Sequence, residues 1–414
     1  MFMTRILLCV IILSSLLSCE NNENKLLPIK VNGLLGFINY SGEMVIDPIY
    51  DDFEGYSNGV IGVGFNGKDG FIDEKGEELT GFIYDRVRYF TDGLASVRLN
   101  GKYGFVNTKG DVVIPIQYGY VFHFSDGMVV FSQDPYEQKY GYLDKSGTVI
   151  VEPKFDEAKA FFEGFAAVKI DDKYGFINKK GDYIVTPKYD KVEDFFEGYA
   201  AVSKEGLWGF IDGSGNEVIP LIYREVEPFI EGYAIVDKSY NKKGMINTLN
   251  EIVIPFEFAE LEPFQEGLAV ASYFGDKKGF INKEGKWVIT LSYDYAEGFN
   301  EGLAAVGIRN GREEENGDVL FGYIDKKGKQ VIAPKFSSAR PFVDGIAIVG
   351  VKTGEYTYNL GYINKEGDYI IKPRFFNASP FFNGVASIHD VNGNPKKNYI
   401  DKTGEVLYVA DKKE

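Results

Sequence analysis

The chain has 414 residues and a formal charge of −16. Its apolar share of 44% excludes an intrinsically disordered chain, and its acidic balance excludes a phosphate-gripping surface, so no nucleic-acid partner is expected. Aromatics at 15% together with 48 glycines suit short strands and tight turns rather than helices.

The first segment, 1–18, reads MFMTRILLCVIILSSLLS. Arg5 gives it a basic start, and Ile6 to Leu17 is mostly apolar. That run is shorter than the ~20 residues a spanning helix needs and fits a signal-peptide core. Leu16-Leu17-Ser18-Cys19 resembles the lipobox of bacterial lipoproteins. The resemblance implies cleavage before Cys19, acylation of that cysteine and attachment to a membrane through the lipid. Cys9 would leave with the signal, so the mature chain would keep one cysteine, with no disulfide and no Cys/His zinc site. Residues 19–25 then read as a polar tether.

From 26 to 408 one unit recurs. Its anchor is a Gly-aromatic-Ile-Asx phrase such as Gly175-Phe176-Ile177-Asn178, repeated at Gly36, Gly70, Gly104, Gly141, Gly209, Gly244, Gly279, Gly322 and Gly361. Asn398-Tyr399-Ile400-Asp401 is a worn eleventh copy. Six residues after each anchor glycine comes a second glycine, as at Gly181, with Asn250 in that place once. Both residue types accept positive φ, so a turn is expected there. Eight residues on stands an aromatic, as at Tyr189; six further a second, as at Phe195; three further a third glycine, as at Gly198. From that glycine to the next anchor the step varies from 11 to 20 residues, and every insertion falls there. Loops accept insertions and packed strands do not, so this interval holds a hairpin loop.

Three strands per unit follow. Strand A is of the Gly302–Val306 type, strand B is the anchor, and strand C is of the Val331-Ile332 type. Short loops make A–B and B–C antiparallel. A proline follows C closely, as at Pro187, so C is expected to end there or lie at an edge. A unit this small cannot bury its apolar face alone and must stack on its neighbours. Ten to eleven units exceed the 4–8 blades usual for a propeller. The expected fold is therefore all-β: an open, twisted, solenoid-like array of three-stranded units, with a β-propeller as the alternative. Residues 409–414 read as a polar tail.

The pattern resembles the bacterial WG-repeat family, named for a Trp-Gly at the anchor. Trp208-Gly209 matches the name literally; elsewhere the Trp place holds residues such as Asp69, Tyr103, Tyr174 and Lys243. The rest of the pattern matches well. The resemblance implies a β-repeat scaffold with at most a binding role and brings no catalytic residues.

Little else carries chemistry. His123 lies between Phe122 and Phe124 and reads as a half-buried packing residue; His389 reads as solvated in a terminal loop. A row of acids precedes the strand A glycines: Asp92, Asp126, Glu163, Glu197, Glu231, Glu266, Glu301 and Asp344, with Asn58 and Asn383 at the ends. Its presence in every unit points to backbone capping, the alternative being a ladder of Ca²⁺ ligands. No cofactor and no metal are expected. Aromatics outside the pattern supply the candidate binding-loop residues, Tyr136 and Tyr140 in one loop and Tyr356 and Tyr358 in another. The expected function is a lipid-anchored, non-catalytic scaffold of the bacterial cell envelope, at the outer membrane, binding a protein or glycan. The alternatives are an envelope hydrolase using loop carboxylates, Glu313 to Glu315 and Asp318, or a structural spacer.

Overall fold

The computed structural model describes residues 26–134, 136, 139–309, 318–354, 357–390 and 397–407. The signal segment with Cys19, the tether, Tyr356, Glu313 to Glu315 and the 409–414 tail lie outside them. All the regular elements among the described residues are strands, and the paired ones are antiparallel.

Unit 5 shows how the repeat folds. Strand A (Phe165–Ile170) pairs with strand B (Lys173–Asn178) from Phe165↔Asn178 to Ile170↔Lys173. The B–C turn closes on Asn178. Its carbonyl accepts the Gly181 N–H at 2.9 Å, and its Oδ1 accepts the N–H groups of Lys180 and Asp182 at 2.9 and 3.0 Å. Gly181 has φ 82°, and Asn250 in the same place of unit 7 has φ 61°, as the turn requires.

The anchor glycine has a different reason. Strand C (Tyr183–Tyr189) pairs Tyr174↔Tyr189 and Phe176↔Val185 with an irregular register between them. It thereby folds tightly over Gly175, where an added Cβ would lie 2.4 Å from the Val185 carbonyl oxygen and 2.7 Å from the Pro187 nitrogen. Close backbone approach, not positive φ, excludes a side chain.

Of two expectations about the unit, one is met by its second alternative and one is corrected. Strand C does not stop at its proline but runs through it, Pro187 included; it does lie at a sheet edge, where a missing N–H is tolerated. Most sheets also have four strands, not three. A two-residue strand D, Glu157–Ala158 in unit 5, pairs with Lys169 and Val168 of strand A, giving the order D-A-B-C. It comes from the stretch between the two fixed aromatics and is too short to show alternation.

Each unit buries one face against the next. Ala167, Phe176, Val185 and Tyr189 of unit 5 pack on Ala200, Val202 and Ile211 of unit 6, with Val192 and Phe195 of the connecting segment between them. Small residues in strand A allow this approach.

The array is closed, not open. Ten sheets form a propeller-like ring, the last of them joining units 10 and 11 through the long strand Tyr369–Ala378. Leu27, Ile29 and Ile38 of unit 1 share a buried cluster with Val385 and Tyr399 of unit 11. The Tyr399 hydroxyl donates to the Pro28 carbonyl at 3.2 Å. A Cβ on Gly42 of unit 1 would lie 1.9 Å from the Leu407 oxygen, just as one on Gly110 of unit 3 would lie 2.1 Å from the Leu79 oxygen of unit 2. Unit 1 thus stacks on unit 11 as any unit stacks on its predecessor. An open solenoid needs polar capping ends; here both end faces are apolar and bury each other.

Candidate functional site

The two ends of the strands carry different chemistry. At the end where strand A begins, the acidic row is a capping ladder. Each acid sits in the left-handed region, Glu197 at φ 50° and Glu231 at φ 52°. For Asp92, Asp126, Glu163, Glu197, Glu266 and Glu301 the carboxylate accepts an N–H of the same turn one unit on. Glu163 accepts the N–H groups of Glu197 and Gly198 at 3.0 and 2.8 Å, and Glu197 those of Glu231 and Gly232 at 2.8 and 2.9 Å. Asp92, Glu266 and Glu301 cap Gly127, Gly302 and Gly345 likewise. Lysines of the B–C turns add ion pairs, Lys326 to Glu266 at 2.8 Å and Lys365 to Glu301 at 3.0 Å. Burial alone would raise the Glu266 carboxyl, but Lys326 and the Gly302 N–H outweigh it and hold the group below its ordinary value. The capping reading holds for these six carboxylates. Among the described residues no group of three or more His, Cys, Asp or Glu is placed to hold a metal.

The other end carries the A–B hairpins, including those with the insertions. Tyr136, Tyr240 and Phe274 stand out from them, 90%, 73% and 76% exposed. Tyr358 opens strand B of unit 10 opposite Lys352 and is also exposed. Tyr140 is not a loop residue. It begins strand B of unit 4, pairs with Phe155 and packs on the core between units 4 and 5. Tyr136 and Tyr358 belong to different units, so the predicted tyrosines are not brought into one site. Tyr240 and Phe274, on neighbouring units 7 and 8, went unnoticed because each falls in a loop of ordinary length. Asp318 forms an ion pair with Lys352, 2.7 and 2.9 Å from its two oxygens.

A third feature escaped the sequence altogether. A cleft of about 260 Å³ opens beside strand D of unit 3, lined by Arg88, Tyr89, Thr91, Leu94, Ser96, Phe105 and His123. His123 is therefore exposed and lines a cavity, rather than being half-buried packing. His389 lies within strand A of unit 11, paired with Asn377, and not in a loop.

The pattern described as "WG containing repeat" matches ten segments: 36–68, 70–103, 103–134, 140–174, 174–208, 208–241, 244–277, 279–311, 321–352 and 361–388. The chain belongs to the WG-repeat family. No curated protein matches its sequence. Among solved structures, this WG-repeat protein is loosely similar to the computationally designed Ika8 protein: 13% identity, 66% of this chain, 95% of that chain and a TM-score of 0.31. The extracellular domain of a putative one-component system from B. thetaiotaomicron gives 10%, 95%, 78% and 0.29. That of a putative hybrid two-component system from the same organism gives 9%, 92%, 69% and 0.28. These scores are low, and the fold rests on the strand pairing above.

Within the WG repeats, side chains in the Trp place contact strand D. Tyr174 donates to Glu157 at 2.5 Å, Lys278 pairs with Glu260 at 2.5 Å, and Asp69 accepts the Val87 N–H at 3.1 Å. Trp208, the literal family residue, packs on the core between units 6 and 7. Nearby acids feel the burial. The Glu227 carboxyl is pushed up by desolvation, only partly offset by Lys243 at 3.4 Å. The phenols of Tyr142, Tyr323 and Tyr362 are likewise raised by burial. Each donates to a backbone carbonyl of the next unit at 2.8 Å, so they are structural struts.

Proposed function

We propose that this WG-repeat protein is a lipid-anchored, non-catalytic binding scaffold of the bacterial cell envelope. It is held at the outer membrane through Cys19 and presents its A–B hairpins to a protein or glycan. The observation that carries the reading is the asymmetry of the strand ends. One end is stitched unit to unit by the carboxylate ladder, while the other holds all the length variation and the exposed rings of Tyr136, Tyr240 and Phe274. Repeat arrays offer extended surfaces of this kind, and exposed aromatics supply contact area at low entropic cost. The anchoring part rests on Leu16-Leu17-Ser18-Cys19 at the end of an apolar run.

Two experiments test it. Cys19→Ala should move the protein from the membrane fraction to the soluble envelope fraction; retention in membranes would refute anchoring. Immobilised Cys19→Ala protein should retain an envelope component that the Tyr240→Ser/Phe274→Ser double variant loses. Equal retention by both would refute binding through the hairpins.

A further inference from the structure

We propose that the cleft between units 3 and 4 binds a small carboxylate carried on a single ring, with Arg88 gripping the carboxylate and Tyr89 walling the ring. The site is distinct from the hairpin surface, and the inference does not depend on it.

The argument starts from the repeat. The same location recurs in unit 7, where Glu227, Ile230, Tyr233, Ile235 and Met245 leave only about 10 Å³. Ile235 stands where unit 3 has Ser96, and Tyr233 where it has Leu94. In units 5 and 6 the Leu94 place is also aromatic and stacks on the next unit, Phe165 on Phe195 at 4.5 Å and Tyr199 on Phe229 at 4.9 Å. Unit 3 therefore opens a space beside Leu94 that units 5, 6 and 7 fill with an aromatic ring in the same place.

What lines the opening is polar and unspent. Among the described residues, the side chains of Arg88, Tyr89, Thr91, Ser96 and His123 make no hydrogen bond or ion pair. In units 5, 7 and 10 the residue in the Arg88 place is engaged. Arg340 donates to the Ala378 carbonyl at 3.3 Å, Lys159 to the Val192 carbonyl at 3.1 Å, and Glu227 faces Lys243. Arg86 and Arg98 pair directly across strands D and A of this unit. The buried Nε of Arg98 has no partner. Arg86 already has the carboxylates of Glu54 and Asp69 near it, and the Arg98 guanidinium lies 5.6 Å from the centre of the Tyr103 ring, so Arg88 is the basic group that the cleft itself presents.

The chemistry narrows the ligand. A guanidinium fork matches a carboxylate bidentately. Tyr89, 51% exposed, offers a face to a flat or puckered ring, the buried Phe105 closes the floor, and Thr91 and Ser96 line the cleft with hydroxyls. The volume lies just below the usual range for small-molecule pockets, which suits one ring and not an extended chain. A sugar acid and an aromatic acid share this chemistry.

The test is isothermal titration of the full ring with glucuronate, benzoate, glucose and acetate. Glucuronate or benzoate should bind, and whichever does identifies the ring as sugar or aromatic. Arg88→Gln should weaken that binding about tenfold or more, the expected loss of a charged, bidentate contact. Ser96→Ile, which copies the plug of unit 7, should abolish it with an unchanged melting profile. Arg340→Gln, the equivalent change in unit 10, should leave it unaltered. The proposal is overturned if neither ring acid binds, if acetate or glucose binds as well, or if Arg340→Gln is as damaging as Arg88→Gln.

Discussion

Glu197 makes the carboxylate ladder measurable. It occupies a left-handed conformation that costs a residue with a Cβ about 1 kcal/mol. Its two carboxylate oxygens offset this by accepting the Glu231 and Gly232 N–H groups at 2.8 and 2.9 Å. The site is exposed, so the pair should contribute what a helix N-cap does, about 1 kcal/mol. Glu197→Ala keeps the strain and loses the cap, and should destabilise by about 1 kcal/mol. Glu197→Gly loses the cap but also the strain, and should fall within ~0.5 kcal/mol of wild type. Denaturant midpoints report the stability difference between the two variants. Amide exchange reports the cap: Glu231 and Gly232 should exchange about fivefold to tenfold faster in both variants. Equal midpoints for Ala and Gly would refute the strain argument, and unchanged exchange at those two amides would refute the cap.

The two kinds of glycine should part company. Gly175→Ala, which drives a Cβ to 2.4 Å from the Val185 oxygen, should cost about 3 kcal/mol, against about 1 kcal/mol for Gly198→Ala, which meets nothing within 4 Å, by chemical denaturation. Phe195→Ala removes a ring packed at 4.5 and 5.2 Å from Phe165 and Phe176 and should cost about 3–5 kcal/mol, with hydrogen exchange rising first in units 5 and 6. Ile29→Ala should open the seam, enlarging the particle in small-angle scattering while leaving unit 5 amides protected; unchanged scattering would speak against a seam held by this cluster. The Glu217 carboxyl is held low, chiefly by the Tyr189 hydroxyl at 2.8 Å and also by Lys188. A lowered folded value means its stabilising contribution is complete above about pH 4.5 and is lost as pH falls through the folded value. Glu217→Gln should therefore flatten the acid limb of a stability profile in that window.

Spacing made the repeated parts legible. The anchor, the Asx-Gly turn, the A–B hairpin and the fixed aromatics recur at constant intervals, and a position repeated that often is constrained in every unit. Strand D was not legible, because two residues cannot show a period. Closure was not legible either. It depends on whether Leu27, Ile29 and Ile38 meet Val385 and Tyr399, and no local pattern encodes the angle between successive units. Tyr140 reads as a loop aromatic only when the insertion before it is weighed above its place in the unit, which is the Trp place of unit 4. The unit 3 cleft was hidden for the opposite reason. Ser96 looks like any small residue of strand A, and only comparison with Ile235 in the folded structure shows that its smallness leaves a space.

The seam has a kinetic consequence. Neighbouring units meet through residues about one repeat apart, as Gly198 and Glu163 do at a separation of 35, whereas Tyr399 and Pro28 are separated by 371 positions. By loop-closure entropy the last contact costs about 2 kcal/mol more to form than a contact one repeat apart. Folding should therefore run around the arc and close the ring last. Until it does, the chain exposes two unit faces that fit each other. In concentrated solution those faces can meet between two copies as well as within one, so the route to the closed ring and the route to a swapped dimer share the same final contact.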